Sequence, residues 1–260
     1  MIPTGFAGVE NMLWLWMVAM IRPGACFLAA PIFGAAFVPV QLRLIIALAI
    51  GVPALGATAF TLPPDGLASV AGFMLVGGEV MAGLALGFAV QIGFSAALVA
   101  GEVIGNAMGL GFAAMMDPAS GQQNPVLGQF LSILATFLFL AVDGHLALAA
   151  TIVESYRALP PGDAWLSAEA LNHLVMFGGV LFSAGLSIAL PVAFAIVLVQ
   201  IVMGMLARSA PQLNLFAVGF PAALLAGIVL LAIAAPVLGD GITAAIDFGL
   251  EESRHLATGG

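Results

Sequence analysis

Uncharged apolar stretches dominate the chain. Leu44–Pro64, Val103–Met116, Leu174–Ala207 and Ser209–Gly239 contain no Asp, Glu, Lys or Arg. They lack the polar positions that recur on the water-facing side of an amphipathic helix, a pattern that predicts helices covered all round. Helical segments are predicted at about 11–38, 44–60, 67–100, 103–116, 126–150, 174–206 and 212–238. A bilayer core needs about 20 apolar residues per crossing. Several segments reach that length, so the chain reads as an all-α integral membrane protein.

Simple spanning does not describe every segment. Arg22-Pro23-Gly24 interrupts the first, and Pro23 should kink a helix there because it removes a backbone donor. The third is about 34 residues long with Glu79 inside it, too long for one upright crossing. The last two predict a hairpin: a helix bent at Pro191, a polar turn containing Arg208, Pro211 and Gln212, and a return helix to Leu238. Arg208 suits the negative end of the first hairpin helix.

Composition agrees with a membrane setting. Charged residues make up 7% of the 260 and hydrophobic ones 63%, against about 25% charged in soluble domains. The net charge of -8 comes from acidic residues in loops and near the C-terminus (Asp240, Asp247, Glu251, Glu252), expected to be solvated. Lysine is absent and the arginines number five, so there is no basic face for nucleic-acid phosphates. Arg43 and Arg208 fall on one side of alternating helices, and Arg157 and Arg254 on the other, which leaves the positive-inside signal nearly silent. No cationic start precedes the first apolar run, so that helix is expected to be retained. Cys26 is the single cysteine and lies among apolar neighbours, which excludes an internal disulfide and predicts a packed, inert thiol.

The segment GEVIGNAMGLGFAAMMDPASGQQNP, Gly101–Pro125, breaks this pattern. Gly101, Gly105 and Gly109 recur every fourth residue, as do Gly83 and Gly87 upstream. That spacing puts them on one helix face, where small side chains let backbones approach closely in membranes. Generic tight packing is the plainer reading of this echo, a functional repeat the bolder one. Beyond Gly111, Asp117-Pro118 should stop the helix by Met116 or Asp117. Ser120-Gly121 then reads as a turn, and Asn124-Pro125 as the start of the next helix. The result is a loop with a Met108, Phe112, Met115 and Met116 approach and a polar, uncharged tip. It can be an ordinary connector or a soft seal, for which methionine suits.

Other chemistry is sparse. Asp143 and His145 could suggest a relay or a metal centre, but one Asp and one His are too few ligands for zinc. His173 and His255 lie in polar contexts elsewhere. A helix ending at the interface, with Gly144 as terminator, is the plainer reading. Glu79 and Glu102 are carboxylates in or near the membrane, and proton linkage through them is the functional alternative to an interfacial position. No nucleotide-binding, nucleophile or metalloprotease motif is present, so no enzyme, cofactor or metal is expected.

Several pieces together resemble the FliR family of the flagellar type III export gate, with its counterparts in virulence injectisomes. They are Arg22-Pro23-Gly24, PIFGAAFVP from Pro31 to Pro39, GEVIGNAMGLGFAAMMDP, Asp143-Gly144-His145, Ala189-Leu190-Pro191, and Ala207 to Leu215. They keep the family's order over nearly the whole chain. The resemblance implies a non-enzymatic subunit whose long kinked helices and hairpins join P and Q subunits in a helical export-gate complex. Residues 1–170 would be the P-like region including the plug loop, and 171–260 the Q-like hairpin and tail. It further implies contact with the B and A export-apparatus proteins, unfolded flagellar substrates, and a place in the bacterial inner membrane at the flagellar basal body. The family's pore plug maps onto residues 109–125. Phe112, Met115 and Met116 would seal, and Gly111, Pro118 and Gly121 would supply the turn geometry, with Met108, Gly109, Asp117 and Pro125 in the same plug and seal. An injectisome gate subunit and a small-molecule or ion transporter built on broken helices are the alternative functions. An intramembrane metalloenzyme around Asp143 and His145 is a third.

Overall fold

A computed structural model describes residues 7–56, 62–64, 66–111, 125–209 and 215–259. The described residues are helical, with no strand among them. The helices are α1 (Ala7–Ala19), α2 (Ile21–Ala29), α3 (Val40–Leu55), α4 (Val70–Ala107), α5 (Val126–Ala141), α6 (Gly144–Ala158), α7 (Ala168–Phe177), α8 (Gly179–Ser209) and α9 (Leu215–Ala257). Four stretches are long and apolar enough to cross a membrane, or five if α5 and α6 count as one broken span. The chain is an all-α membrane protein of several spans.

The chain divides into two compact units. The first comprises Met1–Gly93, Leu140–Gly178 and Ile246–Gly260; the second comprises Phe94–Phe139 and Gly179–Ala245. In the first, α3 packs on α1, α2 and α6. In the second, the buried residues include Ile104, Leu131, Ala189 and Ile196.

Among the boundaries that differ from the sequence expectation, four have a clear local reason. The predicted segments 67–100 and 103–116 are one 38-residue helix ending at Ala107, because Gly109 takes a left-handed conformation (φ +83°). Its amide donates to the Asn106 carbonyl (3.0 Å) and that of Leu110 to the Gly105 carbonyl (3.0 Å). These two bonds make a Schellman cap, so the helix stops well before Asp117-Pro118. At the 126–150 segment, Asp143 rather than Gly144 is the left-handed residue (φ +55°); a short polar side chain tolerates that region. Its carbonyl accepts from the Leu146 and Ala147 amides (2.9 and 3.0 Å) and starts α6. The first hairpin helix begins at Gly179, after the separate α7, which Ser167 caps by accepting from the Ala170 amide (3.0 Å). The second continues past Leu238 to Ala257. There Ile242, Ile246, Leu250 and Leu256 are buried at helical spacing. Asp240, Asp247 and Glu251 are exposed as expected, but Glu252 is buried.

Candidate functional site

Two constructions stand out, one in each unit. In the first, the Arg22-Pro23-Gly24 motif opens α2 after a one-residue break at Met20. Pro23 cannot donate to the carbonyl four residues back, that of Ala19. The Tyr156 hydroxyl donates to that carbonyl instead, at 3.1 Å. A break between α1 and α2 thus becomes an attachment point for α6.

Arg22 occupies the same place with no exposed surface. Nε and Nη2 donate to the two carboxylate oxygens of Glu79 on α4 (3.0 and 2.8 Å). Nη1 donates to Ser155 Oγ (2.9 Å), Nη2 also to the Leu159 carbonyl (2.7 Å), and the guanidinium lies 4.0 Å from the Tyr156 ring centre. The Ser155 hydroxyl donates onward to the Ile152 carbonyl (2.7 Å). A planar fork that fills both oxygens of a carboxylate fits arginine and not lysine. Glu79 is fully buried with both oxygens bonded to the guanidinium. That geometry makes it the counter-ion that lets Arg22 stay in an apolar interior.

Close helix approach brings these groups together. A side chain at Gly83 would strike the Arg22 carbonyl oxygen and, at 2.8 Å, Ala25 Cβ; one at Gly87 would strike the Cys26 carbonyl oxygen. The absence of Cβ at these two positions lets α2 lie against α4. Cys26, within α2, is a buried free thiol.

In the second unit the end of α4, from which residues 109–125 lead on, is held from several directions. A Cβ at Gly101 would lie 2.5 Å from the backbone of Gly128, so α4 and α5 cross glycine on glycine. Gln200 of α8 donates from Nε2 to the Ala107 carbonyl (2.7 Å), the last of α4. Met108 is buried and fills the notch left by Gly227 of α9, where a Cβ would come within 2.6 Å of its side chain. The Schellman cap at Gly109 then turns the chain out of the helix. On the far side, the Gln129 amide donates to the Pro125 carbonyl (2.8 Å) as α5 begins.

Gly105 differs from Gly101. A Cβ there meets Leu110 and Leu127 at 3.8 Å, an ordinary contact. Alanine at Gly101 is therefore expected to lower the yield of folded protein sharply, while alanine at Gly105 leaves it near wild type; leucine at either fails. Size-exclusion profiles of the detergent-extracted variants check this, and equal behaviour of the two alanine variants contradicts it. The ladder thus has separate functions along its length: Gly101 packs, Gly105 tolerates a methyl, and Gly109 ends the helix.

The remaining predicted positions are dispersed. Glu102 is half-buried on α4. Asp143 is exposed at the start of α6, and His145 Nδ1 has no partner among the described residues. Gly111 lies beside Asn106, whose Oδ1 would be 3.0 Å from an added Cβ. Arg208 is exposed in the last turn of α8. Phe112, Met115, Met116, Asp117, Pro118 and Gly121 of the loop, and Pro211 and Gln212 of the hairpin turn, lie outside the described residues. Nothing in the sequence points to the partners of Arg22 on α6, since Ser155, Tyr156 and Leu159 are ordinary residues at the end of that helix, more than 130 positions away. The one legible signal was a carboxylate, Glu79, in an otherwise uncharged helix.

The family model for bacterial export proteins, family 1, matches residues 13–248. The flagellar biosynthetic protein FliR of Escherichia coli K12 is 36% identical over 228 residues, covering 87% of this chain and 85% of the relative. That of Pectobacterium carotovorum is 40% identical over 170 residues, 65% of each chain. The Bacillus subtilis 168 protein of the same name is 27% identical over 244 residues, 93% of each. A match this long, to proteins of one name and covering similar shares of both chains, leaves one assignment: the chain belongs to the FliR family of bacterial export proteins.

Proposed function

We propose that this chain is a non-enzymatic subunit of the flagellar type III export gate. It forms, with P and Q subunits, the pore through which unfolded flagellar proteins leave, and its 109–125 loop is the pore plug. Family membership supports the general assignment to the flagellar export apparatus of the inner membrane. The plug reading rests on one observation: the loop leaves a root fixed by the Gly101–Gly128 crossing, the Gln200 bond and the Met108–Gly227 contact. A loop that must close a pore and then yield needs such a base, because only the part beyond the base should move.

The surface supports assembly. Only 22% of the apolar window in α7–α8 and 17% of that in α9 is buried within the chain. Phe182, Phe194, Leu225 and Ile233 face outward and need cover from lipid or from neighbouring subunits. Residues 1–170 then act as the P-like part and 171–260 as the Q-like part, a division that follows chain order rather than internal contacts. B and A export-apparatus proteins are further expected partners. A seal of methionine and glycine adapts to varied unfolded chains, where a rigid charged filter would not. Co-expression with P and Q subunits is expected to yield a detergent-stable complex holding one copy of this chain. A chain that purifies alone as an active transporter overturns the proposal.

A further inference from the structure

Two of the chain's three histidines meet a buried carboxylate at the end of α9. His173 belongs to α7, while Glu252 and His255, three residues apart, share one face of α9. His173 Nδ1 lies 2.8 Å from Glu252 Oε1, and the two imidazole rings are 5.1 Å apart. One ligand atom from each of the three residues lies within 4.8 Å of the others.

Burial is unequal in an informative way. The Glu252 side chain is 6% exposed and that of His173 is 55% exposed. A carboxylate removed from water requires charge compensation. An imidazole standing half in solvent supplies little, because its attraction is screened. A dication would supply more. Two imidazoles and one carboxylate are also a zinc donor set that leaves a fourth position for water. Imidazole ligands select against magnesium and calcium, which take oxygen.

The distances lie near those of a zinc site. Ligand atoms about 2.0–2.2 Å from a tetrahedral zinc stand about 3.4 Å from one another. Both histidines are exposed and Glu252 is buried, so adjustment falls to the two imidazoles: His173 Nδ1 opens from 2.8 Å to Glu252 Oε1, and the wider separations close from at most 4.8 Å. We propose that His173, Glu252 and His255 form a binding site for a zinc-class divalent transition metal that clips α7 to the C-terminal end of α9. The metal takes the place of the hydrogen between His173 and Glu252, whose proton passes to the other ring nitrogen of a neutral His173 or, from a protonated ring, to water; water completes the coordination. This proposal does not depend on the export-gate reading.

The test uses the full chain, purified in detergent with an affinity tag free of histidine and stripped with a chelator. Titration with zinc sulfate is expected to show about one equivalent bound per chain, and a rise in unfolding temperature that magnesium does not reproduce. The His145→Ala variant should bind like wild type. His173→Ala, His255→Ala and Glu252→Gln should each bind at least about tenfold more weakly and lose the temperature rise. The two histidines are exposed, so their loss leaves packing intact, and the glutamine keeps the shape of Glu252. Less than stoichiometric zinc on the wild-type chain overturns the proposal. So does equal affinity in wild type, His173→Ala and His255→Ala.

Discussion

Replacing Arg22 by alanine is expected to collapse the first unit, with a loss of about 3–5 kcal/mol, the range for removing one partner of a buried ion pair. The change strands the Glu79 carboxylate, which is fully buried and bonded twice to the guanidinium. It also removes the donors to Ser155 and to the Leu159 carbonyl. Arg22→Lys keeps the charge but loses the fork, so it should fall between alanine and wild type. The double change Arg22→Met with Glu79→Leu should recover most of the loss, because no charge is then left unpaired. Unfolding midpoints and monodisperse yield in detergent read all four proteins. An alanine variant as stable as wild type, or a double variant no better than the alanine one, refutes the role given to the pair.

The chain's membrane character and helical class are plain in its uncharged stretches, since lipid imposes continuous apolar helices. Boundaries were legible only where local chemistry decides them alone. Pro23 announces a break, but its consequence depends on Tyr156, which only tertiary contact brings to Ala19. The sequence points to an end of α4 about ten residues beyond the actual one at Ala107. Asp117-Pro118 is a strong stop in sequence, yet the chain had already turned at Gly109, a glycine that also fits the helical ladder. Only the two hydrogen bonds of the cap separate those readings. Glu252 reads from sequence as solvated, because acidic tails usually are, yet it is buried. Continuation of α9 to Ala257 instead turns that residue inward toward His173. Motif resemblance reached further than local rules for the same reason: it carries the outcome of contacts that no short stretch encodes.

Shortening the loop is expected to have the largest functional effect. Gly105 and Leu127 are neighbours, so the ends of α4 and α5 lie side by side. Replacing residues 111–124 with six Gly/Ser residues, which reach about 20 Å, should therefore join them without strain. Such a variant keeps Met108, Gly109, Leu110 and Pro125, and with them the anchored root. If the loop is an ordinary connector, nothing beyond it should change. If it closes a pore, the complex should form normally and yet fail to hold an ion gradient at rest. The decisive measurement is the ion permeability of membranes in which the shortened chain is confirmed to have assembled with its P and Q partners. The plug account predicts leakage of small ions well above that of the wild-type complex. Assembled complexes that stay as tight as wild type contradict it.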